Sequence, residues 1–152
     1  MSEEYRNIYQ NARKSAGLTQ EAAAERLGIS PESVRAYETG VRVPPNDVVE
    51  QMVICYNTQH LAYQHLHETN ALAARIVPAL EQRSLLEVAV RIYNRMSQFS
   101  KGHKVEHLLA MAEDGRIDEN ERAEFEEFVA DLRELIQSGM ELELFCHPAP
   151  QD

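Results

Sequence analysis

A single stretch near the N-terminus constrains the fold more than any other part of the chain. It runs TQEAAAERLGISPESVRAYETG, from Thr19 to Gly40. Thr19 is a helix N-cap candidate, because its hydroxyl can accept a hydrogen bond from a free N–H of the first turn. Three alanines and Leu27 then favour a helix. Gly28 follows, the residue type that ends a helix in the left-handed conformation without steric cost. The pattern predicts a helix over residues 20–27.

A second helix is predicted directly after this turn, over residues 31–38. Ser30 can cap it, and Pro31 suits its first position, where a missing N–H costs nothing. Val34 and Tyr37 lie three residues apart and therefore share one face. The whole stretch predicts a helix, a tight turn and a second helix that packs back on the first.

This stretch resembles the helix-turn-helix of the lambda repressor and Cro-like family, also called the xenobiotic-response-element family of bacterial regulators. The positions that carry the resemblance are Gln20, Ala24, Leu27, Gly28, Ile29, Ser30, Val34, Tyr37, Glu38 and Gly40. It implies a five-helix DNA-binding domain whose second motif helix, the recognition helix, lies in the major groove. The alternative interpretation is a structural helical hairpin without a role in DNA binding.

The spacing of apolar residues predicts three more helices around the motif. The first covers residues 4–16, the fourth begins at a cap on Asn46 or Asp47, and the fifth begins at a cap on Thr58. The residues predicted to face inward from these helices are Tyr5, Ile8, Tyr9, Ala12, Val48, Val49, Met52, Val53, Tyr56, Leu61, Ala62 and Leu66. Five helices within residues 1–67 agree with the domain that the resemblance implies.

The resemblance also assigns roles to individual side chains. It implies that Gln20 bonds a phosphate at the start of the first motif helix. It further implies that Arg13 and Glu38 form an inward salt bridge with a structural role.

The DNA-facing side of the recognition helix is the side opposite Val34 and Tyr37. The candidates for DNA contact are Thr19, Gln20, Ser30, Pro31, Glu32, Ser33, Arg35, Ala36, Thr39 and Arg42. Arg35 is the strongest candidate base reader, because arginine pairs bidentately with guanine. Ser33, Thr39 and Arg42 are phosphate candidates. Glu32 could accept from a cytosine amino group or repel phosphate, and Ala36 could touch a thymine methyl or make no contact.

The distribution of charge is unusual for a DNA-binding chain. The sequence has 15 Lys and Arg against 25 Asp and Glu, a net charge of −10. Residues 1–67 have six basic and eight acidic residues (−2), and residues 68–152 have nine and 17 (−8). Backbone-dominated DNA binding normally needs a basic domain. We therefore expect weak non-specific affinity, and different roles for the two segments.

Residues 68–152 are predicted to form an acidic helical accessory or dimerisation segment. The predicted helices cover about 71–77, 84–98, 104–113 and 119–145, and Ser84-x-x-Glu87 is a capping box for the second of them. That helix has the apolar stripe Leu85, Val88, Ala89, Ile92, Met96 and Phe99. The last helix repeats Phe125, Phe128, Leu132, Leu135 and Ile136 at near-heptad spacing. This second stripe packs either within the chain or across a homodimer.

No other pattern predicts catalytic or metal chemistry. His103 and His107 have the spacing of paired metal ligands, and His65 and His67 form a second cluster, but neither pair has a third ligand at a recognised spacing. Surface histidines are the simpler interpretation. The DGRIDENE turn at 114–121 resembles half of a calcium loop, but alanines occupy two of its ligand positions, so helix termination and capping explain it better.

Taken together, these features predict a cytoplasmic, all-α transcriptional regulator, more often a repressor, that binds a double-stranded DNA operator as a dimer. Neither enzymatic activity nor a cofactor is expected. No apolar run approaches the roughly 20 residues of a membrane span, and the two cysteines are expected to be reduced. The competing class is a protein-interaction module, such as an antitoxin or antirepressor subunit, whose helix-turn-helix face binds protein. The C-terminal helices could also receive a protein partner.

Overall fold

The computed structural model describes the backbone of residues 3–146 and the side chains of residues 8–146. Over this range the chain forms nine helices and no strand: α1 (Glu3–Ser15), α2 (Gln20–Leu27), α3 (Pro31–Glu38), α4 (Asn46–Tyr56), α5 (His60–Thr69), α6 (Ala73–Ile76), α7 (Leu85–Lys101), α8 (Lys104–Met111) and α9 (Arg122–Glu143). The predicted all-α fold is confirmed. The side chain of Tyr5, predicted to face inward, lies outside the described residues. Within the described range, no helix is both long and apolar enough to cross a membrane.

The described chain divides into two compact units, one reaching Leu80 and the other formed by Glu81–Phe145. The sequence places this boundary earlier, after residue 67. The difference arises because the chain beyond α5 packs back on the first unit. Nε2 of His60 lies 3.2 Å from the carbonyl oxygen of Leu80, and Oδ1 of Asn70 accepts from the backbone N–H groups of Leu72 and Ala73, where the short α6 begins.

The core of the first unit collects apolar side chains from α1 to α5. Its buried members are Ile8, Tyr9, Ala23, Tyr37, Val49, Met52, Val53, Tyr56 and Leu61. Ala23 and Tyr37 are the members from the two motif helices, and the others come from α1, α4 and α5. The motif helices therefore pack on a core that is formed mainly by these three helices. Leu66, predicted to face inward, is instead 39% exposed.

The predicted caps of α4 and α5 are wrong. Pro45 is the N-cap of α4, since its carbonyl accepts from the N–H of Val49 at 3.0 Å. Gln59 is the N-cap of α5 and makes no side-chain cap bond. Thr58 instead uses its backbone N–H to close the end of α4, donating to the carbonyl of Val53 at 3.1 Å.

A buried hydrogen-bonded histidine explains why Asn46 does not cap α4. Oδ1 of Asn46 lies 2.9 Å from Nε2 of His65, and the hydroxyl of Tyr9 lies 2.7 Å from Nδ1. Because the amide oxygen only accepts, Nε2 carries the proton and the tyrosine hydroxyl donates to Nδ1. His65 is 3% exposed, so the interpretation of this residue as a surface histidine is wrong.

The buried histidine makes the stability of the first unit sensitive to mild acid. Burial lowers the pKa of His65, so below about pH 6.5 the unfolded chain binds a proton that the folded chain resists. The free energy of unfolding should fall as the pH drops below that value, by at most about 1.4 kcal/mol per pH unit. Melting temperatures measured between pH 7.5 and pH 5.5 test this expectation. A melting temperature that stays roughly constant below pH 6.5 would contradict it. His65→Gln should flatten the profile and His67→Gln should leave it unchanged.

In the second unit α7 and α9 pack against each other in antiparallel directions. The rings of Phe99 and Phe128 meet edge to face with centroids 5.3 Å apart. Arg95 donates to Asp131 at 2.8 Å. At the other end of the pair, the backbone N–H of Glu81 donates to the carboxylate of the buried Glu141 at 3.1 Å. From Glu81 through Arg95 to Phe99, the contact partners on α9 run backwards along the chain, from Glu141 through Asp131 to Phe128.

The helix bounds of this unit differ from the predicted ones most at the end of α7 and the start of α9, while α8 and α9 each end two residues earlier than predicted. Helix α7 begins at the predicted capping box, in which Ser84 and Glu87 bond each other's backbone, but it continues through Ser100, which was predicted to be loop. Helix α9 begins at Arg122 and not at 119. Oδ1 of Asp118 accepts from the backbone N–H groups of Asn120 and Glu121, and these bonds hold a turn before the helix starts.

The apolar stripes of the second unit are only partly inward. On α7, Val88 is buried and Ile92 and Phe99 are half-buried, whereas Leu85, Ala89 and Met96 are exposed, so the chain itself covers only half of the predicted stripe. On α9, Phe128 is buried, Phe125 and Leu135 are half-buried, and Leu132 and Ile136 are 39% and 50% exposed. Each stripe therefore packs inside the unit along one side and faces outward along the other.

Candidate nucleic-acid interface

The α2–turn–α3 motif is fixed by local caps at each end of its turn. Thr19 Oγ1 accepts from the N–H of Ala22 at 3.1 Å. Gly28 adopts the left-handed conformation with φ of 66°, which a residue with a Cβ would adopt only under strain. Ser30 Oγ then accepts from the N–H of Ser33 at 3.1 Å and starts α3. These caps fix where α2 ends and where α3 begins.

Helix α3 has one buried side and one outward side. Val34, Tyr37 and Glu38 are buried. Among the predicted DNA-binding residues on and beside α3, Ser30, Pro31, Glu32, Arg35, Thr39 and Arg42 are exposed, and Ser33 and Ala36 are half-buried. At the start of α2, Thr19 is exposed and Gln20 is half-buried. The structure therefore places the α3 candidates on one continuous outward surface, which we call the α3 face.

Arg42 is held on the α3 face although it follows the helix. Its Nη2 donates to Ser33 Oγ at 2.8 Å, and its Cζ lies 4.9 Å from the ring centroid of Tyr37. Its backbone N–H donates to the carbonyl of Ala36 at 3.2 Å. These three contacts keep a guanidinium beside the outward residues of the helix, and the stacking geometry is one that arginine favours. The sequence indicated Arg42 as a phosphate candidate but gave no signal for these contacts, since they depend on the path of the loop.

Arg35 and Thr39 complete the outward side near the end of α3. Thr39 Oγ1 donates to the carbonyl of Arg35 at 2.8 Å. Its hydroxyl hydrogen is therefore used within the helix, and its oxygen can still accept a hydrogen bond from another molecule. Arg35 is exposed. The outward side thus has arginine, small hydroxyl and methyl groups. Between Ser30 and Arg42 the acidic residues are Glu32 and Glu38; Glu38 is buried, so Glu32 is the acidic residue of the outward side.

Behind this surface lies a buried charge network centred on Glu38. Arg13 donates through Nε to Glu38 Oε1 at 2.5 Å and through Nη2 to Oε2 at 2.9 Å. Its Nη1 donates to the carbonyl of Leu18 at 2.6 Å. Gln20 Nε2 donates to Oε2 of the same carboxylate at 2.8 Å. The structure thus brings Arg13 and Glu38 together and adds Gln20, a partner that the sequence analysis missed.

The electrostatics of this network favour the charged forms. Burial by itself raises the pKa of Glu38, but the hydrogen bonds from Arg13 and Gln20 outweigh it, so that the pKa lies below its ordinary value. The hydrogen bond to Glu38 also raises the pKa of Arg13. Both groups are therefore ionised at neutral pH, and they tie α1 to the ends of α2 and α3.

The network also fixes the start of α2. Because Gln20 donates one amide hydrogen to Glu38, its side chain is held in place, and a second amide hydrogen remains for an outside acceptor. Thr19 lies next to it at the N-terminus of the helix, where free N–H groups and the helix dipole favour an anion. The predicted phosphate-binding role of Gln20 is chemically compatible with this arrangement.

Among the described side chains, no group of three or more histidine, cysteine, aspartate and glutamate residues is arranged to hold a metal ion. His107 instead lies 2.6 Å from Glu124, and His103 lies 3.8 Å from Glu106. The chemistry available on the α3 face is hydrogen bonding and positive charge, which suits recognition of a polyanion.

Residues 10–63 match a family model described as "Helix-turn-helix domain". This part of the chain is a helix-turn-helix domain. The match covers α2 to α4 with parts of α1 and α5, and it confirms the predicted resemblance to lambda-repressor-like regulators at the level of this domain. Comparison with curated proteins and with solved structures found no match. The second unit lies outside the matched segment.

Proposed function

We propose that this protein is a sequence-specific DNA-binding transcriptional regulator, and in the simplest case a repressor, that acts as a dimer. The observation that supports it most directly is the α3 face: a rigidly capped helix turns small polar groups and two arginines outward. Helices of a helix-turn-helix enter the major groove with such a face. The helix-turn-helix domain by itself indicates DNA binding, and the finer assignment is ours.

Arg35 is the proposed base reader, since it is exposed in the middle of α3 and a bidentate contact to guanine discriminates by about 1–3 kcal/mol. Arg42 and Ser33 are proposed to bind the phosphate backbone together, because the hydrogen bond between them orients both. Thr19 and Gln20 are proposed to bind a second phosphate at the N-terminus of α2.

Dimerisation follows from the small number of positive groups. Residues 1–67 have a net charge of −2, so one domain gains little from counterion release. Two recognition helices about 34 Å apart would meet successive major grooves and double the contacts on a palindromic site. A bound dimer would then act by occupancy, excluding polymerase from the promoter.

A second candidate function is a protein-interaction module that uses the same fold. The exposed Glu32 on the α3 face and the low charge of the first unit favour it. A protein partner would tolerate an acidic residue there, whereas a phosphate backbone would not. The two candidate functions predict different effects on DNA binding when the arginines of this face are replaced by neutral residues.

Replacing Arg35 and Arg42 by alanine should weaken binding to the DNA upstream of the protein's own gene by roughly 10–100-fold, because each contact is worth on the order of 1 kcal/mol or more. The measurement is a gel shift at two salt concentrations, and the variant should also show the smaller salt dependence. Lys14→Ala/Arg75→Ala removes the same charge from exposed positions on α1 and α6 and should bind nearly as wild type. Equal, weak and sequence-independent binding by all three proteins would favour the protein-interaction module.

A further inference from the structure

Helix α7 carries more apolar surface than its own unit covers. Its inward side, with Val88, Ile92 and Phe99, faces α9. At about 100° per residue, a second set of residues falls within an arc of about 140° beside the inward side: Leu85, Leu86, Ala89, Val90, Tyr93 and Met96. All six are exposed, including Leu86 at 73% and Tyr93 at 72%. A solvated helix face is normally polar, so this arc requires a partner.

Helix α9 has a matching second stripe. Phe125, Val129, Leu132, Ile136 and Met140 recur at spacings of four and three and therefore lie along one line of the helix. This line lies about 90° from the side formed by Phe128 and Leu135, which packs inward. The predicted five-residue stripe is therefore divided: two members serve the interior of the unit and three belong to the outward line.

The two outward surfaces lie on the same side of the unit. Viewed from the N-terminus of each helix, the α7 arc lies about 110° clockwise from the direction of α9, and the α9 line lies about 90° clockwise from the direction of α7. Since the helices are antiparallel, the two rotations are opposite when both are seen from one end. Both surfaces therefore point away from the helix pair in the same direction, and we call the combined surface the apolar face.

The apolar face is almost free of charge, although the unit is strongly charged: by the same rotation rule only Arg122 and Glu143, at the two ends of α9, fall along it. Residues 81–145 have eight Lys and Arg and fifteen Asp and Glu, a net charge of −7. The ion pairs of the unit, such as Arg95 with Asp131 and Glu134, lie along the opposite edge of the α7–α9 pair. Its large side chains remain well exposed within the chain, with Leu86 at 73%, Tyr93 at 72% and Met96 at 59%, and a contiguous apolar surface of this kind marks an interaction site on a soluble protein.

We infer that a second copy of this chain covers the apolar face, so that the α7–α9 pairs of two chains form a four-helix bundle. An antiparallel helix pair with both apolar sides facing one way is half of such a bundle, and an identical pair supplies the other half. Two units with a net charge of −7 repel each other unless they meet through uncharged surface. A partner selected for this acidic unit would be basic, and the face offers it a carboxylate only at Glu143, at the end of α9.

This inference supplies the dimer that the proposed function requires, but it does not depend on DNA binding. A chain that dimerises and fails to bind DNA would disprove the proposed function and leave the bundle intact. A monomer that binds DNA would disprove the bundle and the dimeric form of the regulator, and would leave DNA binding by the helix-turn-helix domain intact. The two proposals are therefore tested separately.

The test compares two neighbouring substitutions on α7 in the full-length chain. Tyr93→Glu places a charge in the apolar face, and Asn94→Glu places the same charge about 100° further round the helix, outside the apolar face. Sedimentation equilibrium should give twice the 17.3 kDa chain mass for wild type and for Asn94→Glu. Tyr93→Glu should raise the dimer dissociation constant by at least ~30-fold, as expected for a central aromatic residue. Circular dichroism should show unchanged helix content in both variants, since Tyr93 is exposed within the chain.

Leu86→Glu provides a second variant of the apolar face and should act as Tyr93→Glu does, including in the case that Tyr93→Glu loses helix content. A monomeric wild type would overturn the inference. So would a dimer that both face variants leave intact, because the contact would then lie elsewhere. Equal weakening by Asn94→Glu would also overturn it, since net charge and not position would explain the effect.

Discussion

Replacing Arg13 by alanine is expected to reduce the free energy of unfolding of the first unit by about 3–5 kcal/mol. The substitution leaves the buried Glu38 carboxylate without its guanidinium partner, so that only the neutral side chains of Gln20 and Gln10 remain to donate hydrogen bonds to it. It also removes the donor to the carbonyl of Leu18, in the link between α1 and α2. Urea denaturation followed by tyrosine fluorescence measures the change, because five of the six tyrosines lie in the first unit and the chain has no tryptophan.

Two further variants separate the loss of the ion pair from the loss of any α1 side chain. Lys14→Ala, at the exposed neighbouring position, should change the stability by no more than about 0.5 kcal/mol. Arg13→Met/Glu38→Leu should recover much of the loss, because a buried pair replaced by apolar groups leaves no unpaired charge. Equal stability of wild type and Arg13→Ala would show that the network contributes nothing.

The elements that the sequence predicts best are those whose causes are local. The caps at Thr19, Ser30 and Ser84 and the left-handed Gly28 each act within a few residues, so composition and spacing suffice to place them. Asn46 illustrates the opposite case. Its side chain is a good cap by chemistry, but a histidine 19 residues away in sequence takes its oxygen, and such a contact leaves no local signal.

The candidate site divides in the same way. The outward side of α3 follows from helical periodicity once the buried Val34 and Tyr37 are known. The contacts that orient it do not, because Ser33 and Arg42 meet through a loop and Gln20 reaches Glu38 across the motif. In the second unit, α7 is apolar over more than half its circumference, so periodicity alone cannot decide which part faces α9.

Leu61→Ala is expected to destabilise the first unit by about 2–5 kcal/mol, the usual range for a fully buried leucine. Leu61 is 0% exposed and lies in the core formed by α1, α4 and α5. Truncation removes buried methyl groups and leaves a cavity that tightly packed neighbours fill only in part. The same loss should reduce DNA binding at 37 °C, because the motif helices rest on this core.

Leu66→Ala is the matched control, with the same chemical change on the same helix. Leu66 is 39% exposed, so its truncation should cost no more than about 1 kcal/mol. The comparison tests the orientation of α5 directly, since the sequence predicted both leucines to face inward and the structure separates them. Equal losses for the two variants would mean that α5 is rotated relative to the arrangement described. If Leu66→Ala alone were costly, the core would be centred on the other side of the helix, and the buried contact between Tyr9 and His65 would lose its structural basis.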